Sequence, residues 1–121
     1  LYAVAMNKKL NVEFLITRGA DYRAMDSDGR GALHWACRSN SIEIAGLLLD
    51  KGLDINARSK DGSTPLHDAV KTTKKAIVEF LIARGADLNA INALGKSPLG
   101  LAVAGRHGEI ATLLRNHGAV E

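Results

Sequence analysis

Four histidines (His34, His67, His107 and His117), a single cysteine (Cys37) and scattered carboxylates are the side chains in this 121-residue chain that could carry catalysis or hold a metal. Their placement argues against both. His34 and His67 lie 33 positions apart in matching local sequence, and recurrence at a fixed period marks a structural role, because a catalytic constellation is assembled once. His107 falls at a turn between helices and His117 in a last helical turn, where a cation complements the helix dipole. No Cys or His stands at zinc spacing. Cys37 has no partner for an internal disulfide; between Ala36 and Arg38 on an apolar stripe it reads as a buried thiol, suited to a reducing intracellular setting, cytoplasmic or nuclear.

Asp26-Ser27-Asp28-Gly29 resembles part of a calcium loop, but placing Gly29 at the loop's invariant glycine puts Ala24 first and Trp35 last, where acids are required. It is a turn. The pairs Gly29/Gly31 and Gly105/Gly108 lack the strand and the Lys-Ser/Thr of a phosphate-cradling loop. With no positioned acid, base or nucleophile beyond the repeating residues, the chain is expected to be no enzyme and to need no cofactor or metal.

Charge narrows the partners. The net +3 arises from 16 basic and 13 acidic residues spread along the chain without a block of one sign, so nucleic acid is not an expected partner. Lys71, Lys74 and Lys75 form the densest basic patch and read as a solvated face. No apolar run approaches the roughly 18 residues of a membrane span, and Leu1 to Lys9 lacks the order of a signal peptide. Aromatics are only 4% of residues, so burial must come from Leu, Ile, Val and Ala, which suit small, closely approaching helices.

Those helices repeat. Gly19, Gly52, Gly85 and Gly118 recur every 33 positions, as do Gly29, Gly62 and Gly95, Leu33, Leu66 and Leu99, and Ala3, Ala36, Ala69 and Ala102. In residues 59–91, Ser59 to Ser63 is turn chemistry; Thr64 supplies an N-cap oxygen and Pro65 suits a first helical position. Leu66, Ala69 and Val70 give one apolar face before Thr72 and Thr73 weaken the helix. Ile77, Val78, Leu81 and Ile82 build a second helix that stops at Arg84 and Gly85. Helices this short are marginal alone, so stacking on the next unit is obligatory, and small residues such as Ala69 let backbones approach.

The run Thr64-Pro65-Leu66-His67-Asp68-Ala69 at this period closely resembles the ankyrin repeat. The likeness continues in Ala32-Leu33-His34-Trp35-Ala36, in Ser97-Pro98-Leu99-Gly100-Leu101-Ala102 and in Gly85-Ala86-Asp87-Leu88-Asn89-Ala90, and covers essentially the whole chain. It implies an all-α solenoid of about four stacked helix-turn-helix units linked by β-hairpin-like turns. The single domain, 1–121, divides into repeats 1–25 (truncated), 26–58, 59–91 and 92–121. Its histidines would be structural, bonding to hairpin backbone. Gly31-Ala32 and Gly100 depart from the family pattern and put local hydrogen bonding there in doubt; Asn11 and Arg23 depart from it in the first repeat and imply irregular packing there. Apolar residues in the last repeat suggest an excerpt from a longer array, with neighbouring ankyrin repeats as partners.

In this family, partners commonly dock on the concave side made by hairpin tips and first helices. Carried over by position, the candidates are Met25, Asp28, Arg30, Trp35 and Arg38; then Arg58, Lys60, Asp61, Asp68 and Lys71; then Ile91, Leu94, Lys96 and Leu101. The implied function is a protein-interaction scaffold for an acidic segment with some apolar residues. The alternative is a purely structural spacer in a larger protein whose activity lies in another domain. Trp35 is the expected anchor. Tyr2, Asp68 and Leu101 occupy the equivalent position, and a place that accepts Asp is expected not to be fully buried, so Trp35 should be partly exposed between Arg30 and Arg38.

Overall fold

The 33-residue spacing becomes a series of tight turns, each followed by two short antiparallel helices. A computed structural model describes residues 25–121 except Thr73; the readings made for Tyr2, Asn11, Gly19, Arg23 and Thr73 lie outside the described residues. Six helices occur among the described residues: α1 Ala32–Arg38, α2 Ile42–Asp50, α3 Pro65–Lys71, α4 Lys75–Ala83, α5 Pro98–Ala104 and α6 Gly108–Asn116. No described residue forms a regular strand; an isolated antiparallel bridge joins Met25 and Gly31. The fold is the all-α solenoid read from the sequence.

Each turn closes through equivalent atoms. Asp26 N–H donates to the Arg30 carbonyl (2.9 Å), Ser59 to Ser63 (2.9 Å) and Asn92 to Lys96 (3.0 Å). Gly62 sits at φ +78° inside the middle turn, where an ideal Cβ would lie 3.1 Å from the Ala93 nitrogen; glycine is required there both by backbone conformation and by the neighbouring turn. Successive turns are bonded to each other, Lys60 N–H to the Asp28 carbonyl (2.9 Å) and Ala93 N–H to the Asp61 carbonyl (2.8 Å).

The first helices start where the sequence provides a cap. Thr64 Oγ1 accepts from His67 N–H at 3.4 Å and Ser97 Oγ from Gly100 N–H at 3.0 Å, with Pro65 and Pro98 at the first helical position. Gly31 has no side chain to offer, and its own N–H reaches His34 Nδ1 at a long 3.4 Å. The two glycine departures therefore have different results. At Gly31 the side-chain cap is missing, whereas at Gly100 the cap survives and the histidine ring is missing.

The core is the same set of positions three times over. Leu33, Leu66 and Leu99 are buried, as are Ala36, Ala69 and Ala102, Ile44, Ile77 and Ile110, and Leu48, Leu81 and Leu114. At about 1.5–3 kcal/mol for each large aliphatic side chain removed from water, this repeated set supplies the stability that seven- and nine-residue helices lack in isolation. α1 packs on α3 and α3 on α5, while α2, α4 and α6 form a second layer.

Polar side chains stitch one helix pair to the next. His34 Nε2 donates to the Ser63 carbonyl and His67 Nε2 to the Lys96 carbonyl, both at 2.9 Å. Asn56 Oδ1 accepts from Asp87 N–H (2.8 Å), and Asn89 Oδ1 from Val120 N–H (3.0 Å). The histidines thus bond to hairpin backbone, and the hairpin belongs to the following pair.

Candidate protein-binding surface

Stacking lines up the turn tips, and the side chains folding does not use project from them. Met25 is 65% exposed, Ile91 46% and Leu94 84%; Asp28, Arg58, Lys60, Asp61 and Lys96 are exposed as well. Leu94 stands in the third turn where Asp28 and Asp61 stand in the first two, so the tips pass from acidic to apolar along the array. The Ser59 hydroxyl, followed by the Ser63 N–H, holds the Asp61 carboxyl well below the usual carboxylate range. Asp61 thus stays charged at any physiological pH.

Two arginines among the candidates are partly committed to the scaffold. Arg58 Nη1 donates to the Ile91 carbonyl at 2.6 Å and to the Gly62 carbonyl at 3.3 Å, fastening one turn to the next. Arg30 is half-buried and pairs with Asp28 at 2.8 Å.

Trp35 is half-buried on α1. Its Nε1 donates to Asp26 Oδ2 at 3.0 Å, and the Arg38 guanidinium carbon lies 5.3 Å from the ring centre. The other Asp26 oxygen accepts the N–H groups of Asp28 and Arg30, each at 2.9 Å. Asp26 therefore serves the turn and the indole together, with its carboxyl shifted below its ordinary value first by the Arg30 N–H. The sequence reading missed Asp26 as the residue orienting Trp35; its turn position was legible, its second contact was not.

Asp68 corrects an expectation. It occupies the position of Trp35 and Leu101, which are half-buried, yet Asp68 is fully buried. The reason is length: α3 is packed between α1 and α5, and an aspartate stops short of the surface that indole and leucine reach. Neither carboxylate oxygen has a hydrogen-bond partner among the described residues. Burial pushes this acid above its ordinary range, and His34, Arg38 and Lys71 pull it back only in part.

The structure brings Arg38, Asp68 and Lys71 together. With Asn40, Thr72 and Lys74 they border a cleft of about 370 Å³ between the end of α1 and the end of α3. Asn40 and Lys74 were not among the candidates: Lys74 was legible only as part of a basic patch, and Asn40 takes a left-handed conformation (φ 55°) that nothing in its type required. Cys37, beneath, is buried, and burial followed by the nearby Asp68 raises its thiol far above the ordinary value, the opposite of a reactive thiolate. Among the described residues no three His, Cys, Asp or Glu side chains converge as metal ligands, and no described helix is long and apolar enough to cross a membrane.

The family model described as ankyrin repeats (3 copies) matches residues 1–92 and again residues 57–121. No curated protein matches the chain.

Proposed function

Because the chain belongs to the ankyrin-repeat family, we propose that it is a protein-interaction module whose stacked turn tips and first helices grip a partner polypeptide carrying acidic and apolar side chains. The observation that carries this reading is the exposure of the Met25, Ile91 and Leu94 side chains, which make none of the hydrogen bonds that close the turns. Apolar side chains on protruding turns stay in water at a cost unless a partner covers them. Lys60 and Lys96 are exposed on the turns and Arg38 and Lys71 at the ends of the first helices; these cations favour an acidic partner and would speed its encounter.

The turns suit this role because they are rigid: each is closed internally and bonded to its neighbour, so little freedom is lost on binding. The reading assigns no reaction to the chain. The test is affinity capture with the native chain, an Arg38→Glu/Lys60→Glu double variant and Leu94→Asp. A partner retained by the native chain and lost from both variants is expected. If every captured protein survives both changes, the spacer reading replaces this one.

A further inference from the structure

The cleft between α1 and α3 has a chemistry of its own. Its mouth carries Arg38, Lys71 and Lys74, all exposed, and its floor is Asp68. Lys71 and Lys74 make no ion pair with a described residue. The Arg38 guanidinium carbon lies 5.3 Å from the centre of the Trp35 ring, and the group carries five N–H donors, more than this one contact uses. Three positive charges therefore face the opening, against one carboxyl beneath them.

That carboxyl bears on the cleft from below. Asp68 presents no surface to solvent, and its two oxygens lack donors among the described residues, as does Asn40 Oδ1 on the wall. The charged and titratable groups around it are Arg30, His34, Arg38 and Cys37 from the α1 side and His67 and Lys71 from α3. A cationic ligand would have to pass three like charges to reach an acid it cannot touch. A carboxylate, in contrast, meets its counter-charges at the entrance.

Building on the binding function above, we propose that this cleft receives one aspartate or glutamate side chain of the partner, with Arg38, Lys71 and Lys74 as counter-charges and buried Asp68 as a like charge that holds its affinity down. The cleft lies at the C-terminal ends of α1 and α3, a helix length from the turn tips, and none of Met25, Ile91 or Leu94 borders it, so it would fix the orientation of an acidic and apolar segment that spans both rather than supply most of its binding energy.

The test uses the whole chain and three capped amino acids: N-acetyl-glutamate, N-acetyl-glutamine and N-acetyl-lysine, each as its N-methylamide. Binding is followed at low salt by NMR signals of the Arg38 Nε–H and the Lys71 and Lys74 Cε–H groups. Saturable shifts with the glutamate probe, absent with glutamine and lost in Arg38→Gln/Lys71→Gln, are expected. In Asp68→Asn the glutamate probe should saturate at a concentration lower by roughly threefold, as removal of one screened like charge would give. An equal response to glutamine, a lysine response that Asp68→Asn abolishes, or no response to any probe overturns the assignment. If no probe binds while Arg38→Glu/Lys60→Glu still releases a partner, the cleft assignment alone falls. If the glutamate probe binds as expected but that reversal releases nothing, the binding function falls instead.

Discussion

His67 Nε2 meets the Lys96 carbonyl oxygen at 2.9 Å while its Nδ1 accepts the Thr64 N–H at 3.1 Å. A carbonyl oxygen only accepts and an amide only donates, so this ring is neutral with its proton on Nε2. A second proton would set two donors against each other.

The first prediction follows from that neutrality. Burial lowers the basicity of His67 below its ordinary 6.5, so as the pH falls the unfolded chain takes up a proton before the folded one does. The contribution of His67 is fully present above 6.5 and declines as the pH drops below it. His67→Gln should cost about 1–3 kcal/mol at neutral pH, through a buried carbonyl and amide left without partners. The gap between the urea midpoints of native chain and variant should narrow towards pH 5. A constant gap would mean that the ring accommodates a proton.

Gly62 and Gly85 separate conformational strain from collision. Both have positive φ, 78° and 88°, but an ideal Cβ on Gly62 meets Ala93 N at 3.1 Å and Asn92 Cα at 3.2 Å, whereas on Gly85 it meets nothing within 4 Å. Gly85→Ala should lose about 1 kcal/mol, the cost of a left-handed alanine. Gly62→Ala should lose roughly 1–3 kcal/mol more, because backbone of the next turn has to move. Equal losses in urea unfolding would show that the turns approach less tightly than 3.1 Å implies.

Ala69 tests the close approach of first helices. It is completely buried, as are its counterparts Ala36 and Ala102, and Ala69→Leu should destabilise by roughly 1–3 kcal/mol through overpacking. Ala76→Leu on the exposed side of α4 is the control and should lie within about 0.5 kcal/mol of the native chain. Thermal melts of the two variants decide the matter.

Asp68 should weaken the fold at neutral pH. Burial raises its folded-state value above the ordinary 3.8, so the folded chain holds this proton more tightly than the unfolded chain does. The ionised carboxyl is thus a destabilising group above that raised value, and the penalty fades as the pH falls towards 3.8. Asp68→Asn should melt higher than the native chain at pH 7, with an advantage that shrinks towards pH 4. An Asn variant that melts lower at pH 7 would mean that the surrounding cations depend on the ionised acid.

The sequence made the frame legible because its determinants are local. Turn closure at 26/30, 59/63 and 92/96 follows from residues inside each turn, and the starts of α3 and α5 follow from Thr64-Pro65 and Ser97-Pro98. The exposure of the candidate residues was legible by position at Leu94 and Arg38, but their depth was not legible throughout. Position 68 had the same register as Trp35 and Leu101, and only the packing of α3 between two neighbours made Asp68 inaccessible. The Trp35–Asp26 bond and the meeting of Asn40 with Lys74 depend likewise on contacts across turns and helices, which no single-residue propensity encodes.

The two imidazoles on first helices reach downstream: His34 to Ser63, His67 to Lys96, both across 29 residues. The clasp on a given turn is therefore held by the helix pair before it. Loss of His34 should loosen the 59–63 turn sooner than its own, and Gly100, with no ring, has none to offer. The solenoid thus has an energetic polarity, and the harm done by a lesion in it depends on which side of a unit the lesion falls.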